Sequence, residues 1–222
     1  MNNSTSKTKV AIIGLGNIGK AVATNLTKGK HPVILASREI EKSKAFANEL
    51  DSLAIAKETV DAIKEADVII PAISFGTLKE FFKTYSAELD GKIIIDVSNP
   101  IAPNGNGGFK KIIGENESAA KILSDFIPKN AKLIKAFGTL GAASLSSEAF
   151  SQPEQKVLFY ASDSTNSNTK VEDLITSSGF APLHIGGLDN AIRIEVFGDL
   201  HQFGALGKTV TFSEAKNKIS HS

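Results

Sequence analysis

Gly14-Leu15-Gly16-Asn17-Ile18-Gly19 is a Gly-x-Gly-x-x-Gly run that comes directly after Val10-Ala11-Ile12-Ile13. The apolar stretch reads as a strand, and Ile18, Ala21, Val22 and Leu26 recur at helical spacing up to Gly29. Three glycines alone mark little more than a tight turn. Between a strand and a helix they fit a dinucleotide-binding turn. Gly14 would allow the turn itself, Gly16 the approach of a pyrophosphate, and Gly19 close packing of helix on strand. The whole run, Leu15, Asn17 and Ile18 included, is expected to hold the cofactor, with the amides at the helix start facing its phosphates.

The stretch 32–36 reads as a second strand, and the residues just beyond it decide between dinucleotides. An NAD pocket offers a carboxylate there to the ribose hydroxyls, whereas an NADP pocket welcomes a phosphate. Here Ser37 and Arg38 come next, with Lys42 one helical turn on. Only two of the 25 basic residues are arginines, and one stands at this spot. A cation at a helix start opposes the helix dipole, and a phosphate between the two explains it. The expected cofactor is NADP.

In sheets with alternating helices, ligands bind outside the carboxyl ends of the strands. The other segments read as leaving strand ends are Ile73-Ser74-Phe75-Gly76, Ser98-Asn99-Pro100, Phe137-Gly138-Thr139-Leu140 and Gly186-Gly187-Leu188. They are expected to border one site, with Gly138, Gly186 and Gly187 leaving room for a flat acceptor ring. No catalytic residue is assigned. Tyr85 and Tyr160 lack a Tyr-x-x-x-Lys partner, and no Gly-x-Ser-x-Gly elbow occurs. His31, His184, His201 and His221 have no second histidine at i+2 or i+4, so no zinc site is expected. His201 reads as helical and could face a substrate, although a solvated or core histidine is commoner.

The elements that must position these residues emerge from periodicity. Further strands are expected near 53–56, 68–73, 92–97, 133–137, 157–161 and 182–185, the second weakened by Pro71. Helical spacing links Ile40, Ser43, Ala47 and Leu50, then Val60 and Ile63, then Leu78, Phe81, Phe82 and Tyr85. Ser118 is a candidate cap for a helix carrying Ile122, Leu123 and Phe126, and Val171, Leu174 and Ile175 mark another, stopped by Gly179. Residues 102–108 read as a surface loop, and 138–155 as a small-residue, Ser-rich connection. Strand–helix alternation predicts an α/β, Rossmann-type doubly wound, largely parallel sheet with a small C-terminal elaboration. Residues 8–222 are expected to form one domain, and 1–7 a flexible N-terminal segment.

Composition sets the outer limits. The chain has 222 residues, 41% of them apolar and 22% charged, enough for a full core. A net charge of +1 gives no case for nucleic acid. There is no cysteine, which excludes disulfides and thiolate chemistry. The first seven residues lack the apolar core of a signal peptide, and no apolar run reaches the ~18 residues of a membrane span. A cytoplasmic protein without membrane contact is expected.

Residues 9–19, Ser37-Arg38 with Lys42, Asp96-Val97-Ser98-Asn99-Pro100 and Lys135-Ala136-Phe137-Gly138-Thr139 together resemble the NADPH-dependent reductases of the deazaflavin coenzyme F420. Gly179-Phe180 and the stretch from Gly186 through Arg193 and Glu195 fit the same pattern, so the resemblance spans nearly the whole chain. It implies direct hydride transfer between a nicotinamide and a stacked acceptor, with Ser37, Arg38 and Lys42 on the 2′-phosphate. Ile73 and Ser74 would line the cofactor, and Ala136 would lie near the carboxamide. Gly138 stands where Asn is more usual in that family, and Ser74 where Pro is. The acceptor is accordingly left as a flavin, a deazaflavin or a quinone, and the only further partner is a second copy in a homodimer. The alternatives are an NADPH-binding sensor without turnover, an imine or hydroxyacid reductase, which commonly carries a large added helical domain, and a ferric reductase, which would need a membrane portion.

Overall fold

The computed structural model describes residues 7–219. The expected flexible segment falls outside them except for Lys7, and so does His221. β1 (Val10–Ile13) leads through α1 (Asn17–Lys28) to β2 (Val33–Ala36), and α2 (Ile40–Glu49) to β3 (Ala54–Ala56). α3 (Thr59–Glu65) returns to β4 (Val68–Pro71), succeeded by α4 (Phe75–Thr84), the single turn α5 (Ser86–Leu89) and β5 (Ile93–Asp96). The hairpin β6 (Ile101–Pro103) and β7 (Phe109–Lys111) precedes α6 (Ala119–Ser124) and β8 (Lys132–Lys135). Then come α7 (Ala142–Ser147), β9 (Val157–Ser162), α8 (Thr165–Ser177), β10 (Ala181–His184), 3-10 turns over Leu188–Ile194, and α9 (Phe212–Ile219).

Eight strands form one sheet in the order β10-β9-β8-β5-β4-β1-β2-β3. Alternate residues feed two cores, as a sheet covered on both faces requires. Val10, Ile12, Leu35, Ile70 and Ile95 pack beneath α1, α2, α7 and α8, while Ala11, Ile13, Ile69 and Ile94 pack beneath α3, α4 and α6. The fold is therefore the doubly wound α/β arrangement. Pro71 sits harmlessly at the end of β4: β5 pairs only with Val68 and Ile69, so its missing N–H removes no ladder bond to β5.

One strand direction differs from expectation. Across the sheet from β3 to β8 the strands run parallel, but β9 is antiparallel to β8, with Ile134 opposite Ser162 and Lys135 opposite Ala161. β10 is parallel to β9 and so shares its reversed direction. Between β8 and β9 the short α7 packs on α1, with Asn25 Nδ2 donating to Leu145 O at 2.7 Å. The chain thus re-enters the sheet from the edge it left. Gly186-Gly187-Leu188 consequently emerge at the opposite edge from Gly138 and border no common cleft with it. Their close approach serves the β9–α8 turn: a Cβ on Gly187 would lie 2.3 Å from Asp163 Oδ1, which accepts the Leu188 N–H at 3.0 Å.

Two stretches read as loops hold structure. Residues 102–108 form the end of β6 and the hairpin tip, where Asn104 Oδ1 accepts N–H groups of Asn106 and Gly108 at 2.9 and 3.0 Å. The Ser-rich connection contains α7, whose single buried side chain, Leu145, leaves almost no periodic signal. His201, read as helical, lies in a turn.

Gly19 is the tightest point between α1 and the turn before it: an added Cβ would fall 2.0 Å from the Gly14 carbonyl oxygen. Gly19→Ala is expected to cost about 1–3 kcal/mol through overpacking. Thermal unfolding without nucleotide measures this, and an unchanged midpoint would show that α1 can shift freely.

Candidate functional site

The ends of β8, β5, β4, β1 and β2 lie side by side along one edge of the sheet. Gly14 to Gly19, Ser37, Arg38 and Lys42, Ile73 and Ser74, Asn99 and Ala136 all come after those ends, so the fold brings the expected site residues to a single edge. Gly14 has φ 101°, and its Cβ would meet Ala72 O at 2.6 Å, so this turn demands glycine. Gly16 differs: a Cβ there meets nothing within 4 Å. It faces open space at the start of α1. No side chain caps α1, no acidic residue occupies its first turn, and its first bond runs from Lys20 N–H to Gly16 O. The N–H groups of Asn17, Ile18 and Gly19 therefore have no acceptor within the helix, and the dipole's positive end is uncompensated. That arrangement suits an anion.

At the end of β2, Arg38 is exposed and makes no hydrogen bond or ion pair among the described residues. Lys42 pairs with Glu39 at 2.6 Å, both side chains more than 60% exposed, a contact worth little and readily exchanged. Ser37 Oγ donates to Glu39 O at 2.8 Å and lies 2.8 Å from Ser43 Oγ, which fixes its position beside Arg38. Two cations and a hydroxyl thus gather one strand away from the open amides. The donors match a dinucleotide carrying an extra phosphate on its ribose.

The other end of the edge is more heavily bonded. Asp96 and Lys135, the last residues of β5 and β8, form a fully buried ion pair at 2.8 Å. Asp96 Oδ1 accepts the Ser98 N–H at 2.8 Å, and Lys135 Nζ donates to the Ser98 carbonyl. The next residue, Asn99, donates through Nδ2 to Gly138 O at 2.9 Å and accepts the Val196 N–H at 2.7 Å. Its amide is engaged at both ends, which makes it a tie between loops. Ala136 is buried in the core, while Ile73 and the exposed Ser74 border the glycine turn and the start of α4. A Cβ on Gly138 would meet Val97 O at 2.9 Å, so this glycine permits two loops to touch and does not clear space above a ligand. The hydroxyls of Ser98 and Thr139 are buried without partners among the described residues, one on each loop.

Residues 195–203, reached only after the chain returns from the far edge, complete this end. His201 Nε2 lies 3.0 Å from Gly138 O, and Nδ1 accepts the Phe203 N–H at 3.0 Å. A carbonyl can only accept, so Nε2 carries the proton and the ring is neutral. Gln202 donates its N–H to Thr139 O at 3.1 Å, its Nε2 to Ser144 Oγ at 2.7 Å, and accepts the Gly141 N–H at 2.9 Å. Sequence reading names Glu195 and His201 here, but misses the rest of the segment and the Asp96–Lys135 pairing. The available signal was a charge at the end of each of two strands, Asp96 after Ile93-Ile94-Ile95 and Lys135 after Leu133-Ile134. No group of metal-binding side chains occurs among the described residues, and no helix there is long and apolar enough to cross a membrane.

Burial pulls the His201 imidazole down to about 4; the bond to Gly138 opposes this and the Lys135 charge adds to it. Below its ordinary value of about 6.5 the unfolded chain takes up a proton that the folded one refuses. The contribution is therefore complete above about 6.5 and is lost as pH falls toward 4, by up to about 3 kcal/mol. Denaturant unfolding at pH 7.5 and pH 5 should show this loss, and His201→Gln should flatten it. An equally steep loss in the variant would assign the acid sensitivity elsewhere.

Residues 9–100 match the family described as NADP oxidoreductase, coenzyme F420-dependent. The chain is 26% identical over 190 residues to the metalloreductase STEAP3 of Rattus norvegicus, covering 84% of this chain but only 36% of that protein. It is 26% identical over 204 residues to the F420-dependent NADP reductase of Methanocaldococcus jannaschii, covering 86% of this chain and 90% of the relative. A solved hypothetical protein from Sinorhizobium meliloti superposes with a TM-score of 0.79 at 31% identity, over 94% of this chain and 97% of the other. Fold, ordered motifs and these likenesses agree: residues 9–100 match the family of coenzyme F420-dependent NADP oxidoreductases, and most of the chain is similar to an F420-dependent NADP reductase.

Proposed function

We propose that this chain binds NADPH along the ligand edge and serves its transfer of a hydride to a flavin-like or deazaflavin acceptor. The observation that carries the reading is the pairing of open α1 amides at Gly16 with an exposed, unpaired Arg38 at the end of the next strand. In this reading Gly14 to Gly19 hold the pyrophosphate, and Ser37, Arg38 and Lys42 hold the 2′-phosphate. Ile73 and Ser74 flank the nucleotide. When bound, NADPH supplies the hydride. The protein's own work is alignment and exclusion of water, which can carry most of such a transfer. That agrees with an acceptor end in which the buried titratable groups are locked into the scaffold: Asp96 on Lys135, and neutral His201 on Gly138.

The acceptor class rests on the family and on the relative from Methanocaldococcus jannaschii, whose name specifies coenzyme F420. The rat relative is named a metalloreductase, and this chain covers about a third of it. Steady oxidation of NADPH with riboflavin phosphates, deazaflavin, quinones or ferric chelates separates these acceptors. Tight binding with no turnover would instead make the protein a sensor.

Two substitutions test the nucleotide assignment. Arg38→Ala should weaken NADPH roughly ten- to a hundredfold, since a charge-assisted bond contributes about 1.5–3 kcal/mol, and leave NADH nearly unchanged. Equal losses for both nucleotides would remove Arg38 from the phosphate site. Gly16→Val should fold normally, because its backbone is extended and nothing lies within 4 Å of the new Cβ. The variant should nevertheless lose the rise in melting temperature that NADPH gives the parent. A preserved rise would place the pyrophosphate elsewhere.

A further inference from the structure

Phe197 meets none of the usual conditions for a stable position. Its surface is 49% exposed, and its backbone lies at φ 68°, a region that bulky L-residues avoid. Such a residue carries local strain and is retained only where its surroundings over-determine it. Here they do. Val196 N–H is held by Asn99 Oδ1, Gly198 N–H donates to Glu195 O at 2.8 Å, and Leu200 N–H donates to Arg193 O at 2.8 Å. Arg193 clamps Asp199 through three bonds of 2.7 to 3.2 Å. The buried Glu195 carboxylate takes the Ser118 hydroxyl and the N–H groups of Ala119 and Ala120 at 2.8 to 2.9 Å. The turn closes because Gly204 has no side chain: a Cβ there would lie 1.9 Å from Gly198 O.

This clamped turn stands where the loops from β5 and β8 meet, since the same Asn99 that holds Val196 also holds Gly138. A phenyl ring is therefore displayed to solvent, at a cost in strain, beside the acceptor end of the ligand edge. We propose that Phe197 is an aromatic face against which a flat, conjugated acceptor stacks. The inference rests on the hydride-transfer reading above and names the residue that contacts the acceptor. It also implies a preference for multi-ring acceptors over compact ones such as a ferric chelate.

The test compares Phe197→Tyr, which keeps the planar face, with Phe197→Leu, which keeps apolar bulk but not the face. Melting temperature, NADPH dissociation constant, sedimentation behaviour and KM for flavin mononucleotide are measured for both. Tyrosine should hold the flavin KM within about twofold, and leucine should raise it about three- to tenfold, the range of an aromatic pair. NADPH binding and melting temperature should stay near the parental values in both. A leucine variant with parental flavin KM overturns the assignment. So does one in which NADPH and flavin constants rise together, or one that changes the number of associated copies. A parent that binds NADPH but oxidises it with neither flavin nor deazaflavin overturns the proposed function and this inference with it, whereas an active parent with an indifferent leucine variant overturns the inference alone.

Discussion

The end of the edge formed by β5 and β8 depends on one buried ion pair. Removing Asp96 and Lys135 from water costs several kcal/mol per ion, and only close mutual contact with further hydrogen bonds offsets it. The structure supplies both, and spends them on geometry. Between them the two side chains hold the amide and the carbonyl of Ser98. That fixes the direction of Asn99, which holds Gly138 and Val196. His201 then bonds the same Gly138 carbonyl. A chain of polar contacts thus runs from two adjacent strand ends to a segment about a hundred residues away in sequence.

The end of the edge around the glycine turn works by different physics. Gly14 is set by its own backbone angle and Gly19 by contact with the Gly14 carbonyl, while the anion-attracting character comes from unbonded amides and a helix dipole. This locality is why the glycine turn, Ser37, Arg38 and the two-sided sheet are legible in the sequence: each signal lies within a short window. The end formed by β5 and β8 is not legible that way. Hydrophobic periodicity says that residues 157–161 form a strand but carries no information on its direction. The reversal of β9 and β10 is therefore hidden from it, and Gly187 is expected on the wrong edge. Gly138 and Gly187 read as vacated space, yet each serves close contact with a residue distant in sequence, Val97 O and Asp163 Oδ1. Only tertiary structure supplies those neighbours.

The polar network also explains the absence of an obvious acid–base pair. Asp96, Lys135, Glu195 and His201 are all buried, and each is occupied in holding backbone or another side chain. Chemistry that needs a mobile proton donor would compete with that scaffold. A transfer governed by alignment does not.

The return of the chain from the far edge has a mechanical consequence. The glycine turn is anchored by β1, a central strand paired on both sides, so it can open only with the sheet itself. The turn around Phe197 and His201 is attached to the edge without strand pairing, by the Asn99 and His201 side chains and one backbone bond from Gln202 N–H to Thr139 O. Such a turn can give way without breaking a strand ladder, although its buried Glu195, Leu200 and His201 resist this. A flat molecule seated between the two walls would leave past this turn, while phosphates held at the glycine turn would move only with the sheet.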